Sequence, residues 1–381
     1  MAAVADQVLI YADTERSPEL RHELPVAIGD PFLYAEQNGT RYVLTNVLEI
    51  EKMKKLGVET RLPDDYGIDE LLKSGKKPAE VRNELLLRAC RDLGISDAAV
   101  PYWFPVDLAD FLRENGIELR ADEELFDERR RAKNEAEIAG VRRAQLAAEA
   151  GMQAAADMLR AAEPNGAGLT LDGEPLTVER IKVAISQAFM DNGATSDDFI
   201  VAWGEQGARG HDTGSGQIPP GSPIVIDLFP KDRESACYAD MTRTFVVGEP
   251  DEEIVEWHRL VKEAVDRTIE PIKPGVKGRE LFDIACDIFE EAGQPTQRTK
   301  EPGKPLDEGF FHSLGHGVGL EVHEAPGLGL LGEKELVPGD VITIEPGLYR
   351  QGYGGVRLED LVLVTESGYE NLTKFPYDLA P

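Results

Sequence analysis

Three of the chain's six histidines fall within twelve residues, in His312-Ser313-Leu314-Gly315-His316-Gly317-Val318-Gly319-Leu320-Glu321-Val322-His323-Glu324. A lone histidine is usually structural, but three in one glycine-punctuated segment point to metal ligation or proton transfer. His312 and His316 are an even number apart and are expected on one strand face. His323 lies seven beyond His316, so a bend or bulge must bring it round, and Gly315, Gly317 and Gly319 supply permissive backbone for one. Carboxylates recur where charge is costly. Pro223-Ile224-Val225-Ile226-Asp227 is an apolar strand ending in an acid, and Asp240 follows by 13 residues, leading a strand on which Asp240, Thr242 and Thr244 share a face. Val341-Ile342-Thr343-Ile344-Glu345-Pro346 ends another, and Val356-Arg357-Leu358-Glu359 puts Arg357 and Glu359 on one face. Any one of these acids alone reads as a salt-bridged strand end. Four together need a common cation or extensive pairing, because buried like charges cannot all stay ionised. Four carboxylates and an imidazole suit Mn²⁺, Co²⁺, Fe²⁺ or Zn²⁺. No Ser/His/Asp or cysteine nucleophile competes, and the alternating glycines lack the strand–turn–helix context of a dinucleotide loop.

The elements that must carry these groups lie in the second half. Strand-like runs cover Phe199–Trp203, Ile224–Leu228, Met241–Val247, Val341–Ile344 and Leu361–Val364, and helical patterns cover Val178–Asn192, Glu252–Ile269 and Gly278–Ala292. There is no regular βαβ beat, which predicts an α+β architecture. The first half reads as a small α/β domain without clustered chemistry. Asn38-Gly39 between two apolar runs predicts a hairpin, with helices over Pro78–Leu93 and Val106–Asn115. From Glu123 to about Ala162 the composition changes: the basic run Arg129–Lys133, whose interleaved glutamates predict a solvated helix face, leads into an Ala-rich helix ending before Pro164. The boundary falls near residue 127, giving domains 1–126 and 127–381. A chain of 381 residues exceeds the roughly 250–300 at which single cores stop growing.

Composition removes several functions. With 41 basic and 71 acidic side chains the formal charge is −30, which argues against nucleic acid and anionic membranes as partners. The three cysteines, Cys90, Cys237 and Cys286, are scattered and odd in number, as expected in a reducing compartment. No leader pattern and no run approaching about 18 apolar residues is visible, so the expected location is cytoplasmic. Gln294–Asp307, rich in Pro, Lys and Gly, reads as an insertion near the site mouth.

The segments IDLFPKDRESACYADMTRTF, HSLGHGVGLEVHEAP, TIEPGLY and GGVRLED resemble, in order, the signatures of the pita-bread metallopeptidases. That family holds methionine aminopeptidase, aminopeptidase P, prolidase and the metal-free homologue creatinase. The resemblance implies a C-terminal pita-bread (creatinase/aminopeptidase) fold behind a smaller N-terminal creatinase-like α/β domain. It implies Asp227, Asp240, His316, Glu345 and Glu359 as ligands of two divalent ions, manganese first, with cobalt, iron or zinc as alternatives. His312, His323 and His211 match substrate-side histidines, Arg357 the arginine beside the last ligand, and Glu345 the proton shuttle. The implied activity is that of an Xaa-Pro peptidase, prolidase-like or aminopeptidase P-like, acting as a homodimer on small peptides with proline second. Hydrolysis of a small amide, a metal-dependent lyase and an inactive binding homologue are the other readings. Two departures stand out. The aspartates are two residues further apart than usual, which enlarges their hairpin. Gly327-Leu328-Gly329 stands where many prolidases carry an arginine for the dipeptide carboxylate.

Overall fold

The computed structural model describes residues 7–381 and falls into two compact units that divide between Arg130 and Arg131. The first unit is built on a six-stranded mixed sheet. Its strands run, edge to edge, Glu59–Arg61, Thr40–Leu44, Phe32–Gln37, Gln7–Ala12, Asp97–Val100 and Glu118–Ala121. The central strand reads as a continuous apolar run because both its faces are covered. Leu9 packs with Leu86 and Cys90 of helix Pro78–Asp92, while Val8 and Ile10 pack with Leu20 and Met53 on the other side. Asn38 and Gly39 take φ of 52° and 77°, and Gln37 pairs with Thr40, which is the expected two-residue hairpin.

The second unit is α+β, as the irregular alternation predicted. A three-stranded sheet of Ile200–Trp203, Pro223–Leu228 and Met241–Val246 packs against helices Glu135–Arg160 and Val178–Asp191. A five-stranded sheet runs in the order Glu324–Leu328, Gly315–Gly317, Val341–Ile344, Asp360–Val364, Tyr369–Asn371. Its core is shared with helices Glu252–Ile269 and Gly278–Glu291 and with the ribbon of Gly347–Arg350 and Gly354–Arg357. All pairings in both sheets are antiparallel. No helix among the described residues is long and apolar enough to cross a membrane.

The Ala-rich helix is present, and one local expectation is corrected. The stretch from Glu123 is two helices, Glu123–Arg131 and Glu135–Arg160, broken at Asn134. Asn134 caps the second: its side chain accepts from Glu137 N at 3.0 Å, and the Glu137 carboxylate accepts from Asn134 N at 2.8 Å. That reciprocal box was written in Asn134-Glu135-Ala136-Glu137. The basic run is not a solvated face, since Arg130, Arg131 and Lys133 are buried. Arg131 donates to both carboxylate oxygens of Asp340, at 3.0 and 2.7 Å, and Lys133 Nζ lies 2.7 Å from Glu324. Their partners lie about 200 residues away, beyond the reach of local charge periodicity.

Candidate metal centre

The three-stranded sheet of Ile200–Trp203, Pro223–Leu228 and Met241–Val246 meets the five-stranded sheet and its adjoining ribbon at a seam, and the site is built on it. From the three-stranded side come Asp227, paired in register with Thr242, and Asp240, just before Met241. The long hairpin between them is pinned by Asp232, which accepts from Arg143 at 3.1 and 2.8 Å and from Ser235. From the five-stranded side come His316 at the centre of its strand, Glu345 just past Ile344, and Glu359 just before Asp360. Hydrogen bonds cross the seam at those positions. Glu359 N donates to Thr242 O at 3.0 Å, and Thr242 Oγ1 donates to Glu359 Oε2 at 2.7 Å. Thr244 Oγ1 donates to Arg357 O at 2.9 Å.

His312 and His316 do not share a strand. His312 lies in a bend ahead of Gly315–Gly317, and His323 in the bend that leads into Glu324–Leu328. The register shifts between Gly315 and Gly317, and the returning chain sets the His323 ring 4.2 Å from that of His316. The glycines serve a different purpose from the one expected. Gly315, Gly317 and Gly319 do not take positive φ. A Cβ on Gly315 would stand 2.1 Å from Thr343 O, and one on Gly317 2.3 Å from Ala325 O, so close approach of backbone excludes any side chain. Gly315→Ala is therefore expected to destabilise the protein by about 1–3 kcal/mol or more, as overpacking against rigid backbone does. Calorimetry of the purified variant checks this, and an unchanged melting temperature would contradict it.

One atom each of Asp240, His316 and Glu359 lie within 4.8 Å of one another. His316 Nε2 is 3.2 Å from Glu345 Oε1 and 3.9 Å from Asp240 Oδ2. Its Nδ1 faces the Gly317 carbonyl at 3.1 Å. A carbonyl only accepts, so Nδ1 carries a proton; without a cation Nε2 also donates to Glu345, which raises the His316 pKa against the effect of burial, and a bound cation would take the Nε2 lone pair in place of that proton, as metal-binding imidazoles are held. Two buried oxygens, Asp227 Oδ1 and Asp240 Oδ1, have no hydrogen-bond partner. Burial and the carboxylates of Glu359 and Asp227 hold Asp240 well above the usual range, and burial with Glu345 and Asp227 does the same to Glu359. Burial alone would raise Glu345 too, but the His316 hydrogen bond and charge bring it down to about 2. Orphaned carboxylate oxygens crowded round one imidazole are what a divalent cation satisfies, so the donor set fits metal ions.

Beside this cluster runs a chain of buried polar groups. Arg357 Nη2 donates to Asp227 Oδ2 at 2.6 Å, Nη1 to Tyr349 OH at 2.9 Å and Nε to Thr242 Oγ1 at 3.2 Å. Tyr349 OH in turn meets His312 Nε2 at 3.0 Å, and His312 Nδ1 meets Ser313 O at 2.8 Å. Burial lowers the pKa of His312, and burial with the neighbouring His316 lowers that of His323, so both rings favour the neutral form. His211, exposed, follows a short 3₁₀ turn at Gly204–Ala208. Asp227, Asp240, His316, Glu345, Glu359, Arg357, His312, His323 and His211 all line one cavity of about 700 Å³, whose apolar side includes Ile200, Phe229 and Phe311. The 294–307 segment contributes no lining residue. It packs on helix Gly278–Glu291 through Arg298, held by Asp283, Asp287 and Glu290, and braces Phe311 O through Gln297 at 2.7 Å. Three acids on one helix face beside a lone arginine draw it inward. Tyr349 and Thr343 carry positioning contacts that the sequence reading passed over. Thr343 Oγ1 takes the His316 amide at 3.0 Å and faces Glu345 at 3.2 Å, and its place two residues before Glu345 on one strand face was the available signal.

A pita-bread fold closing on a carboxylate–imidazole cluster defines the metallopeptidase class. The chain belongs to metallopeptidase family M24, whose sequence profile matches residues 139–366. It is 34% identical over 300 residues to the Xaa-Pro dipeptidase of Pyrococcus horikoshii, covering 77% of this chain and 76% of that protein. It is 43% identical over 195 residues to the Xaa-Pro dipeptidase of Pyrococcus furiosus, an alignment that spans 49% of this chain and about half, 51%, of that protein. The crystal structure of the prolidase from Pyrococcus horikoshii OT3 superposes with a TM-score of 0.76 at 28% identity, covering 98% of this chain and 95% of that one.

Proposed function

We propose that the protein is a dinuclear metallopeptidase that hydrolyses the bond before proline in small Xaa-Pro peptides. The observation that carries this reading is the pair of buried, unpartnered oxygens of Asp227 and Asp240 facing His316, Glu345 and Glu359. Asp227, Asp240, His316, Glu345 and Glu359 would hold the two ions. When bound, the ions polarise the scissile carbonyl and lower the pKa of an attacking water toward neutrality. Glu345 accepts the proton of that water and passes it to the leaving proline nitrogen, held in aim by Thr343 Oγ1. His323, neutral and open to the cavity, offers an N–H to the developing oxyanion. His312, fixed by Tyr349 and Ser313, would wall the scissile group with Phe311, and His211 lines the same cavity near His312 and His323. Manganese, a homodimeric assembly and a cytoplasmic location complete the proposal.

Two arginines, Arg209 and Arg357, line the cavity among the described residues, and Arg357 is committed to Asp227. Arg209 is half exposed and held by Glu205 and Asp212 at 3.0 and 3.2 Å. A carboxylate-bearing dipeptide therefore meets a weak anion site, and Xaa-Pro-Yaa tripeptides are expected to be cleaved at least as well as Xaa-Pro dipeptides. Parallel kinetics with Mn²⁺-loaded protein check this. Hydrolysis of neither substrate by protein carrying two ions would overturn the peptidase reading.

A further inference from the structure

Arg243 lies on the strand that follows Asp240, paired with Ile226, and its side chain is 1% exposed. All five of its N–H donors are used. Nη1 donates to Thr242 O at 2.9 Å and to Glu359 O at 2.7 Å, so one nitrogen spans the seam between the two sheets. Nη2 donates to Asp360 Oδ1 at 3.0 Å and Phe375 O at 2.8 Å, and Nε to Pro376 O at 2.8 Å. The guanidinium also lies 4.3 Å from the Tyr377 ring. Tyr377 OH and Asn371 Nδ2 both donate to Asp360 Oδ2, closing the cage. Phe375–Tyr377 has no regular secondary structure, so these carbonyls are free to serve the guanidinium rather than a ladder.

We propose that Arg243 is a positioning residue for the metal centre, and that the segment Phe375–Tyr377 is part of the same device. Asp227 and Asp240 sit on or beside strands of one sheet, whereas Glu359 lies in the link between Gly354–Arg357 and Asp360–Val364. Carboxylates from both sides would hold the same ions only if the two segments are held within roughly 0.5 Å of the productive arrangement. Glu359 is gripped on both sides: Thr242 Oγ1 holds its carboxylate, and Arg243 holds its carbonyl together with that of Thr242. A lysine keeps the charge but offers three donors from one point, so it cannot span the seam and the Phe375–Tyr377 segment at once.

This inference rests on the two-metal reading, and Co²⁺ titration followed by visible absorption tests the two separately. Wild-type protein is expected to bind two Co²⁺; failure to bind them overturns the metal reading and this inference with it. In Arg243→Lys the second ion is expected to bind roughly 10–100-fold more weakly, the usual cost of losing a group that orients a ligand. The rise in melting temperature on adding Co²⁺ should shrink accordingly. Tyr377→Phe, which keeps Arg243 but opens its cage, should show a smaller shift in the same direction. Two wild-type affinities in Arg243→Lys, even with a lowered metal-free melting temperature, would mean a purely structural arginine. If Arg243→Lys does not fold, unchanged Co²⁺ binding by Tyr377→Phe overturns the proposal, and weakened second-site binding supports it.

Discussion

Asparagine in place of Asp240 is expected to stabilise the metal-free protein while abolishing its response to Mn²⁺ and its peptide hydrolysis. Asp240 is 4% exposed, has one orphaned oxygen, and faces Glu359 and Asp227. Without a cation these charges would repel one another in a buried cluster. A neutral amide removes that repulsion, a gain of roughly 1–3 kcal/mol, or a rise of roughly 2–4 °C per kcal/mol in a unit of this size. The pH dependence has a definite sign. Burial and like charge raise Asp240 and Glu359 above their unfolded values. Stability from such groups is complete below the ordinary carboxylate range and is lost as pH rises toward the raised folded values. The variant's advantage in chelator should therefore widen from about pH 4 upward. With Mn²⁺ the order reverses, because only the wild type gains binding energy. Hydrolysis should fall on the order of 10⁴-fold, since water activation and proton transfer fail together. Scanning calorimetry of both proteins in chelator and in Mn²⁺, across pH 4 to 8, measures the whole pattern. A pH-independent offset, or a variant still stabilised by Mn²⁺, would sink it.

Arg357→Met should have the opposite signature. Arg357 is 5% exposed, and its guanidinium is the counter-charge of Asp227 at 2.6 Å and the donor to Tyr349. Burial opposes its charge, yet Tyr349, Asp227 and Glu345 hold its pKa well above the usual value, so it stays ionised. Removing one partner of a buried pair leaves a charge without compensation, at a cost of about 3–5 kcal/mol. At roughly 2–4 °C per kcal/mol this lowers the melting temperature of the metal-free protein by roughly 6–20 °C. Bound ions would supply the missing positive charge to Asp227, so the deficit in saturating Mn²⁺ should be much smaller. Equal deficits with and without metal would show that Asp227 ligates nothing. Tyr349→Phe separates the second role: it keeps the ion pair, so the metal-free melting temperature should change little, while His312 loses its partner and kcat falls.

The acids at the ends of apolar strands and the histidine cluster were legible because ligand chemistry demands particular side chains at strand termini, and apolar runs mark strands. The hairpin at Asn38-Gly39 and the α+β class were legible for the same local reason: turn chemistry and the absence of a βαβ beat. Local reading failed wherever a partner was remote. Arg131 and Lys133 looked like a solvated face because Asp340 and Glu324, which bury them, lie on other elements. The glycines at 315, 317 and 319 read as permissive backbone for a bend, although the requirement is space: a Cβ would stand within 3 Å of neighbouring backbone at 315 and 317, and of the Glu324 and Lys133 side chains at 319. The 294–307 segment read as an insertion near the site mouth; it lines no part of the cavity but braces Phe311, which does, while Arg298 ties it to helix Gly278–Glu291.

By itself, then, the sequence determined which atoms are available to bind metal and which runs of chain become strands, because both depend on residue type and spacing over a few positions. Tertiary structure alone decided how those atoms meet. Asp227 and Asp240 reach Glu359 only because Thr242, Thr244, Arg243 and Arg357 stitch two sheets together across more than a hundred residues of chain. Registration of that kind arises from packing and hydrogen bonding between distant segments, which no local pattern encodes.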